Sequence, residues 1–116
     1  MSQAIRVGEL IFTSGQGPLD PVTHEIPTDF DAQARQVLRN LVAVFVAAGS
    51  GKDLIVKCTC YLSDRGHFAA FNRVYAEFFA DRSPLPARTR VVTQLVRDGV
   101  LVEIDGVGRV DRVDRQ

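Results

Sequence analysis

The stretch LPARTRVVTQLVRDGVLVEIDGVGRV occupies residues 85–110, and its folding decides the architecture. Pro84 and Pro86 force extended backbone at its start. Two runs rich in β-branched residues, 88–96 and 100–110, flank Arg97-Asp98-Gly99. Asp-Gly between such runs signals a hairpin, so they are predicted to be adjacent antiparallel strands. With Asp98-Gly99 as a two-residue turn, Arg97 pairs with Val100, Glu103 faces Gln94 and Arg88 faces Arg109. Arg88 and Arg90 stand two apart at the mouth of what reads as a buried strand, so they share a face. Burying a guanidinium is costly unless an anion meets it.

Glu103 shares a face with Asp105, while Val102 and Ile104 point the other way. A carboxylate in an apolar strand is unusual. It holds a water, acts as a general base, pairs with an arginine, or sits charged at the rim. In the hairpin register Arg88 lies six residues from the partner of Glu103, on the order of 20 Å at ~3.3 Å per residue. A joint site then needs a neighbouring subunit to supply one partner.

Before this stretch, residues 4–7 and 10–13 read as short strands joined by Gly8-Glu9. SGQGPLDPVTHEIP is loop. Asp29 or Asp31 caps a helix running to about Ala48, with Ala34, Val37, Leu38, Leu41, Phe45 and Ala48 at helical spacing. Gly49-Ser50-Gly51 ends it. Residues 54–62 read as a strand, and Ser63 or Asp64 caps a second helix with Phe68, Phe71, Val74, Tyr75, Phe78 and Phe79 along a core-facing stripe. GRVDRVDRQ, residues 108–116, reads as a solvated strand end or tail. The order is ββαβαββ, an α+β sheet with two helices. Two helices cover one face only. LIVKCTCYL and VLVEI carry apolar residues on both faces, so the second face is expected to meet other copies of the chain.

At 116 residues the chain, residues 1–116, is a single domain. Its 46% hydrophobic and 24% charged residues are those of a soluble globular protein, and its zero formal net charge argues against coating nucleic acid. MSQAIRVGEL lacks the features of a signal peptide, and the longest apolar run, residues 41–48, is too short to span a membrane. A cytoplasmic location is expected. Cys58 and Cys60 read as small hydrophobes on a buried strand, ahead of a redox or metal role, since no second cysteine or histidine pair completes a metal set.

GQGPLD lacks the third glycine of a dinucleotide loop and is followed by proline, not a helix. No P-loop, H-E-x-x-H or G-x-S-x-G is present, and Ser14 has no histidine nearby in sequence. Gly15 is either a plain turn residue or a point where a ligand approaches the backbone and takes its N–H.

RVGELIFTSGQGPLDP, DAQARQVLRNLVAVFVAAG, DLIVKCTCYLSD, FAAFNRVYAEFF, PART and VEID together resemble the RidA/YjgF family, also called the endoribonuclease L-PSP family. The resemblance covers nearly the whole chain. It implies a chorismate-mutase-like, mixed sheet with two helices on one face, assembled as a homotrimer with clefts between subunits. It further implies a deaminase that hydrolyses enamines and imines of amino-acid metabolism, such as 2-aminoacrylate, 2-iminobutanoate and 2-iminopropanoate, to 2-keto acids and ammonia, with no metal or organic cofactor. In those terms Arg88 grips the substrate carboxylate and Glu103 positions or activates water. Ser14 and the Gly15 backbone line the cleft, and Asn72 supports it.

Two departures stand out. The family's Gly-Pro-Tyr ahead of the segment matching SQA has no counterpart in the sequence from Met1, and Arg90 stands where the deaminase branch often has cysteine. Arg90 binds a second anionic group of a ligand, fills the pocket, or pairs with Glu103 or Asp105. The alternative function is a non-catalytic or altered-specificity trimer that binds small carboxylates. A ribonuclease reading lacks a histidine pair and a basic excess. A chaperone-like role of the exposed faces is the remaining option.

Overall fold

The computed structural model describes residues 2–112; Met1 and the end of the V-D-R tail, residues 113–116, lie outside them. Strands β1 (Ala4–Val7) and β2 (Leu10–Thr13) form an antiparallel pair turned by Gly8, at φ 59°. Helix α1 spans Phe30–Ala47, β3 Ile55–Leu62, α2 Phe68–Phe78, β4 Ala87–Val92 and β5 Val102–Arg109. Asp29 is the α1 cap, its carboxylate accepting from the Ala32 N–H at 2.9 Å. At the other end Gly49 is left-handed at φ 94°, and the Gly49 and Ser50 N–H groups reach back to the Val46 and Phe45 carbonyls. That is a Schellman closure. Asp64 caps the short 3-10 turn Arg65–His67 that leads into α2.

The five strands lie in the order β1-β2-β5-β3-β4, and both helices cover one face. This corrects the expected hairpin. β4 and β5 are not neighbours: β4 runs parallel to β3 on its outer side, and β5 is antiparallel to β3 on its inner side. Two parallel strands need a long crossover, and α2 supplies it between β3 and β4. Glu103 therefore faces Tyr61, not Gln94, and Arg88 faces Cys58, not Arg109. The Asp-Gly signal was local and real, since Val100 donates to the Arg97 carbonyl and Gly99 sits at φ 85°. Burial decided the pairing instead. Val102, Ile104, Gly106 and Gly108 all face the helices, which suits β5 to an interior place. β4 is an edge strand, ending at Val92 and exposed along most of its length, so Arg88 and Arg90 do not open a buried strand.

The core lies between the helices and the sheet: Ile11, Leu38, Leu41, Phe45, Ile55, Phe71, Phe79, Val102 and Ile104 are fully buried, as are both cysteines. Burial holds the Cys58 thiol up at about 11 and Cys60 at about 12, which keeps both protonated. Gly106 and Gly108 exist for Phe45. A Cβ on Gly108 would lie 2.8 Å from its ring and one on Gly106 3.2 Å. The other face of the sheet is bare. Ile5, Val7, Leu10 and Phe12 are exposed there, Phe12 at 42%.

Candidate functional site

Two amides on α1, one buried and one half-buried, shape the loops around the site. Gln33, 1% exposed, donates to the Pro27 and Gly99 carbonyls and accepts from the Leu101 N–H. It ties down the segment that leaves β4 and enters β5. Asn40 donates to the Gly17 and Leu19 carbonyls at 2.9 and 2.8 Å, pinning the loop after β2. Gln16 completes that anchorage by exchanging backbone hydrogen bonds with Ile104. Gly15 is thereby laid beside β5.

On the bare face, Gly15 and Glu103 touch. A Cβ at position 15 would come within 2.8 Å of Glu103 Oε1, so only glycine leaves that carboxylate in place. Glu103, Asp105 and Tyr61 share this face, and the Tyr61 hydroxyl donates to Asp105 Oδ2 at 2.9 Å. Burial, and then the Asp105 charge, push the Glu103 carboxyl above its usual range. A carboxyl so tuned accepts a proton from water more readily than an ordinary one. The cleft here, of about 320 Å³, is lined by Gly15, Tyr61, Gln94, Glu103 and Asp105. Ser14 adjoins it, but its hydroxyl donates to the Ser2 carbonyl.

Arg88 stands on the other face. Its guanidinium lies 4.7 Å over the Tyr75 ring and 5.8 Å from that of Phe71. Cation–π contact holds the head in place without neutralising it. No carboxylate pairs with Arg88 among the described residues. Arg88, Asn72, Tyr75, Ala76, Leu85 and Pro86 line a cleft of about 290 Å³. Asn72 Oδ1 is buried without a hydrogen-bond partner. An unmet buried acceptor costs about 1–3 kcal/mol, so this atom suits a donor from outside the chain. Arg90 lies 4.5 Å over the Phe68 ring in the next cleft along.

The sequence-derived candidates thus fall into two groups. Asn72 and Arg88 meet at the β4 edge, with Arg90 beside them; Gly15 and Glu103 meet on the bare face, with Ser14 adjacent. Directly paired residues share a face. Arg88 pairs with Cys58 and Glu103 with Tyr61, an odd number of residues along β3, so the two project from opposite faces. Three residues along and two strands across put their Cα atoms about 14 Å apart. Within one chain they cannot act on one small molecule. For the same reason Arg90 cannot pair with Glu103 or Asp105 of its own chain. Tyr61, Gln33 and Asn40 escaped the sequence reading. The Thr59-Tyr61 alternation against Cys58-Cys60 was the available signal for Tyr61, and nothing marks the two amides apart from their place on the apolar side of α1.

A single mixed sheet with both helices on one face, carrying half-clefts on opposite sides, defines a chorismate-mutase-like α+β domain. The chain belongs to the endoribonuclease L-PSP family, the RidA/YjgF proteins, whose family model matches residues 1–110. A RutC family protein of Pyrococcus horikoshii is 43% identical over 107 residues, covering 91% of this chain and 83% of that one. An Escherichia coli K12 protein, provisionally named reactive intermediate deaminase TdcF, is 39% identical over 106 residues, 90% of this chain and 82% of its own. The crystal structure of Escherichia coli TdcF with bound serine superposes with a TM-score of 0.89 at 37% identity, covering 96% of this chain and 88% of that chain. The Escherichia coli YjgF gene product gives 0.88 at 38% identity, with 94% and 87% covered. No helix among the described residues is long and apolar enough to cross a membrane.

Proposed function

We propose that the protein is a cofactor-independent deaminase that hydrolyses imines and enamines of amino acids, such as 2-iminopropanoate and 2-iminobutanoate, to 2-keto acids and ammonia. The active form is a homotrimer in which the Arg88 half-cleft of one copy meets the Glu103 half-cleft of the next. The observation that carries this reading is the split site: an unneutralised guanidinium on one face and a raised carboxyl on the other, each incomplete alone. Head-to-tail contact between unlike surfaces closes into a ring when the rotation allows it. The exposed Ile5, Leu10 and Phe12 give the bare face the apolar area such a contact needs.

The chemistry follows from the residues. Arg88 takes the substrate carboxylate through two charge-assisted bonds, which sets the iminium carbon in the seam. The iminium N–H is a donor of the kind Asn72 Oδ1 lacks. Glu103 orients a water and accepts its proton as the oxygen adds to that carbon. The same proton then passes to nitrogen, Glu103 takes the hydroxyl proton as the C–N bond breaks, and that second proton leaves with the ammonia as ammonium beside the keto acid. Orientation supplies most of the acceleration, since the iminium is already electrophilic. Serine, bound by TdcF, presents a carboxylate beside a nitrogen, the same pair of groups.

The test is keto-acid release from imines made in place by an amino-acid oxidase, with Arg88→Ala as control. Arg88-dependent acceleration supports the deaminase. No acceleration over a broad panel, with keto acids still binding, moves the reading to a trimer that holds small carboxylates without turnover.

A further inference from the structure

Arg88 is one of three arginines gathered at one seam with no acid among them. Arg65, Arg88 and Arg90 all line the seam between α2 and β4, and none has an ion-pair partner among the described residues. Other basic side chains nearby are committed: Arg73 to Asp31, Lys52 to Asp81, and Arg82 to the Lys52 and Ile55 carbonyls.

Arg88 and Arg90 pair with Cys58 and Cys60 and project on the same side of β4, one strand repeat apart, about 6.6 Å. Their heads rest on successive rings of α2: Arg88 on Tyr75 and Phe71, Arg90 on Phe68 at 4.5 Å. An aromatic face under each guanidinium limits its motion and leaves the donor edge free. The second cleft, about 310 Å³, adjoins the first and has Leu62, Phe68 and Arg90 on its walls with Arg65 at the rim. α2 starts at this cleft as a continuation of the 3-10 turn Arg65–His67. Asp64 is the acid nearest in sequence, and its carboxylate is engaged by the Gly66 N–H at 2.6 Å.

We propose that Arg90, with Arg65 at the rim, is a specificity residue that selects imines carrying a second carboxylate, the class formed by oxidising aspartate or glutamate. The inference rests on the deaminase reading and names its substrate class. Arg88 holds the α-carboxylate, and the side-chain carboxylate, three or four carbons further along, reaches Arg90. The step is unchanged: the iminium (C=NH2+) plus water gives the ketone and ammonium, here oxaloacetate or 2-oxoglutarate.

The experiment compares imines made by D-aspartate oxidase and by D-amino-acid oxidase. It measures kcat/KM for the dicarboxylic and monocarboxylic imines with the wild-type protein, Arg90→Ala and Arg65→Ala. Arg90 is exposed on the edge strand, so its truncation leaves the core intact. The wild-type protein is expected to favour the dicarboxylic imine by about 10-fold. Arg90→Ala should cut that substrate ~50-fold and the monocarboxylic one less than about 3-fold, in line with loss of a charge-assisted bond. Arg65→Ala should have a smaller effect of the same kind. An equal fall on both substrates makes Arg90 an interface or packing residue and overturns the proposal, as does a wild-type protein that prefers the monocarboxylic imine.

If no imine is turned over, calorimetry with 2-oxoglutarate and 2-oxobutanoate separates the two claims. Tighter binding of 2-oxoglutarate that is lost in Arg90→Ala upholds the dicarboxylate preference while the deaminase reading falls. Equal affinities end both.

Discussion

Under the helices, β5 presents the uncharged Val102, Ile104, Gly106 and Gly108 to Phe45 and its neighbours. Across the same strand, Glu103 and Asp105 stand beside Tyr61 on a face that no helix covers. One strand therefore serves two solvents, alternating at every residue. The glycines differ in the same way. Gly108 makes room for a core ring, and Gly15 makes room for a carboxylate. The covered face holds the chain folded, and the bare face and β4 edge carry the charges a reaction needs. Changes to each should separate stability from activity.

The largest effect is expected at the edge. Arg88→Ala should lower imine hydrolysis on the order of 10³-fold, as for loss of a principal charge-stabilising donor, with an unchanged circular dichroism melt. A melt that falls in step with activity would break the comparison. Gly15→Ala comes next. Its methyl displaces the Glu103 carboxylate, and a misplacement of this size costs about 100-fold in rate, again with little effect on folding. Gly108→Ala is the mirror experiment: overpacking against Phe45 should cost about 1–3 kcal/mol in urea unfolding and leave kcat/KM of the surviving folded protein near normal. Phe12→Asp tests the bare face as an interface. Sedimentation should show a lighter particle, and activity should fall with it because the half-clefts no longer meet.

The smallest effects concern protons. In the proposed mechanism Glu103 acts as a base when ionised, so the acid limb of kcat/KM should lie above the ordinary glutamate range, and Asp105→Asn should move it to lower pH. The folded chain keeps the Glu103 proton to a higher pH than the unfolded chain does. Stability from this group is therefore full at low pH and declines as pH rises through the raised value, and Glu103→Gln should remove the decline. On the covered face, Cys58 and Cys60 should resist iodoacetamide at neutral pH until the chain is unfolded, because both thiols are buried and protonated.

Most elements were legible because their signals are local. The α1 apolar spacing, the Asp29 cap, the Gly49 stop, the aromatic stripe of α2 and the β1-β2 turn each depend on residues within a few positions of one another. Arg88 and Glu103 were visible as charges in apolar strands. The hairpin was misread because Asp98-Gly99 specifies a turn and not the partner of the strand that follows. The choice between pairing with β4 and entering between β2 and β3 rests on total burial, which no window of sequence contains. Gln33 and Asn40 were missed because their carbonyl partners lie in distant loops.

By itself, the sequence determined the element order, the face each helix buries, the family pattern and the residue types available for chemistry. These follow from periodicity and backbone sterics, which act over short range. Only the tertiary structure decided that β5 is interior and β4 an edge, that Arg88 and Glu103 project from opposite faces, and that Arg88, Arg90 and Arg65 gather without an acid along one seam. Those facts depend on strand order, and strand order is set by how much apolar surface the whole chain can bury at once.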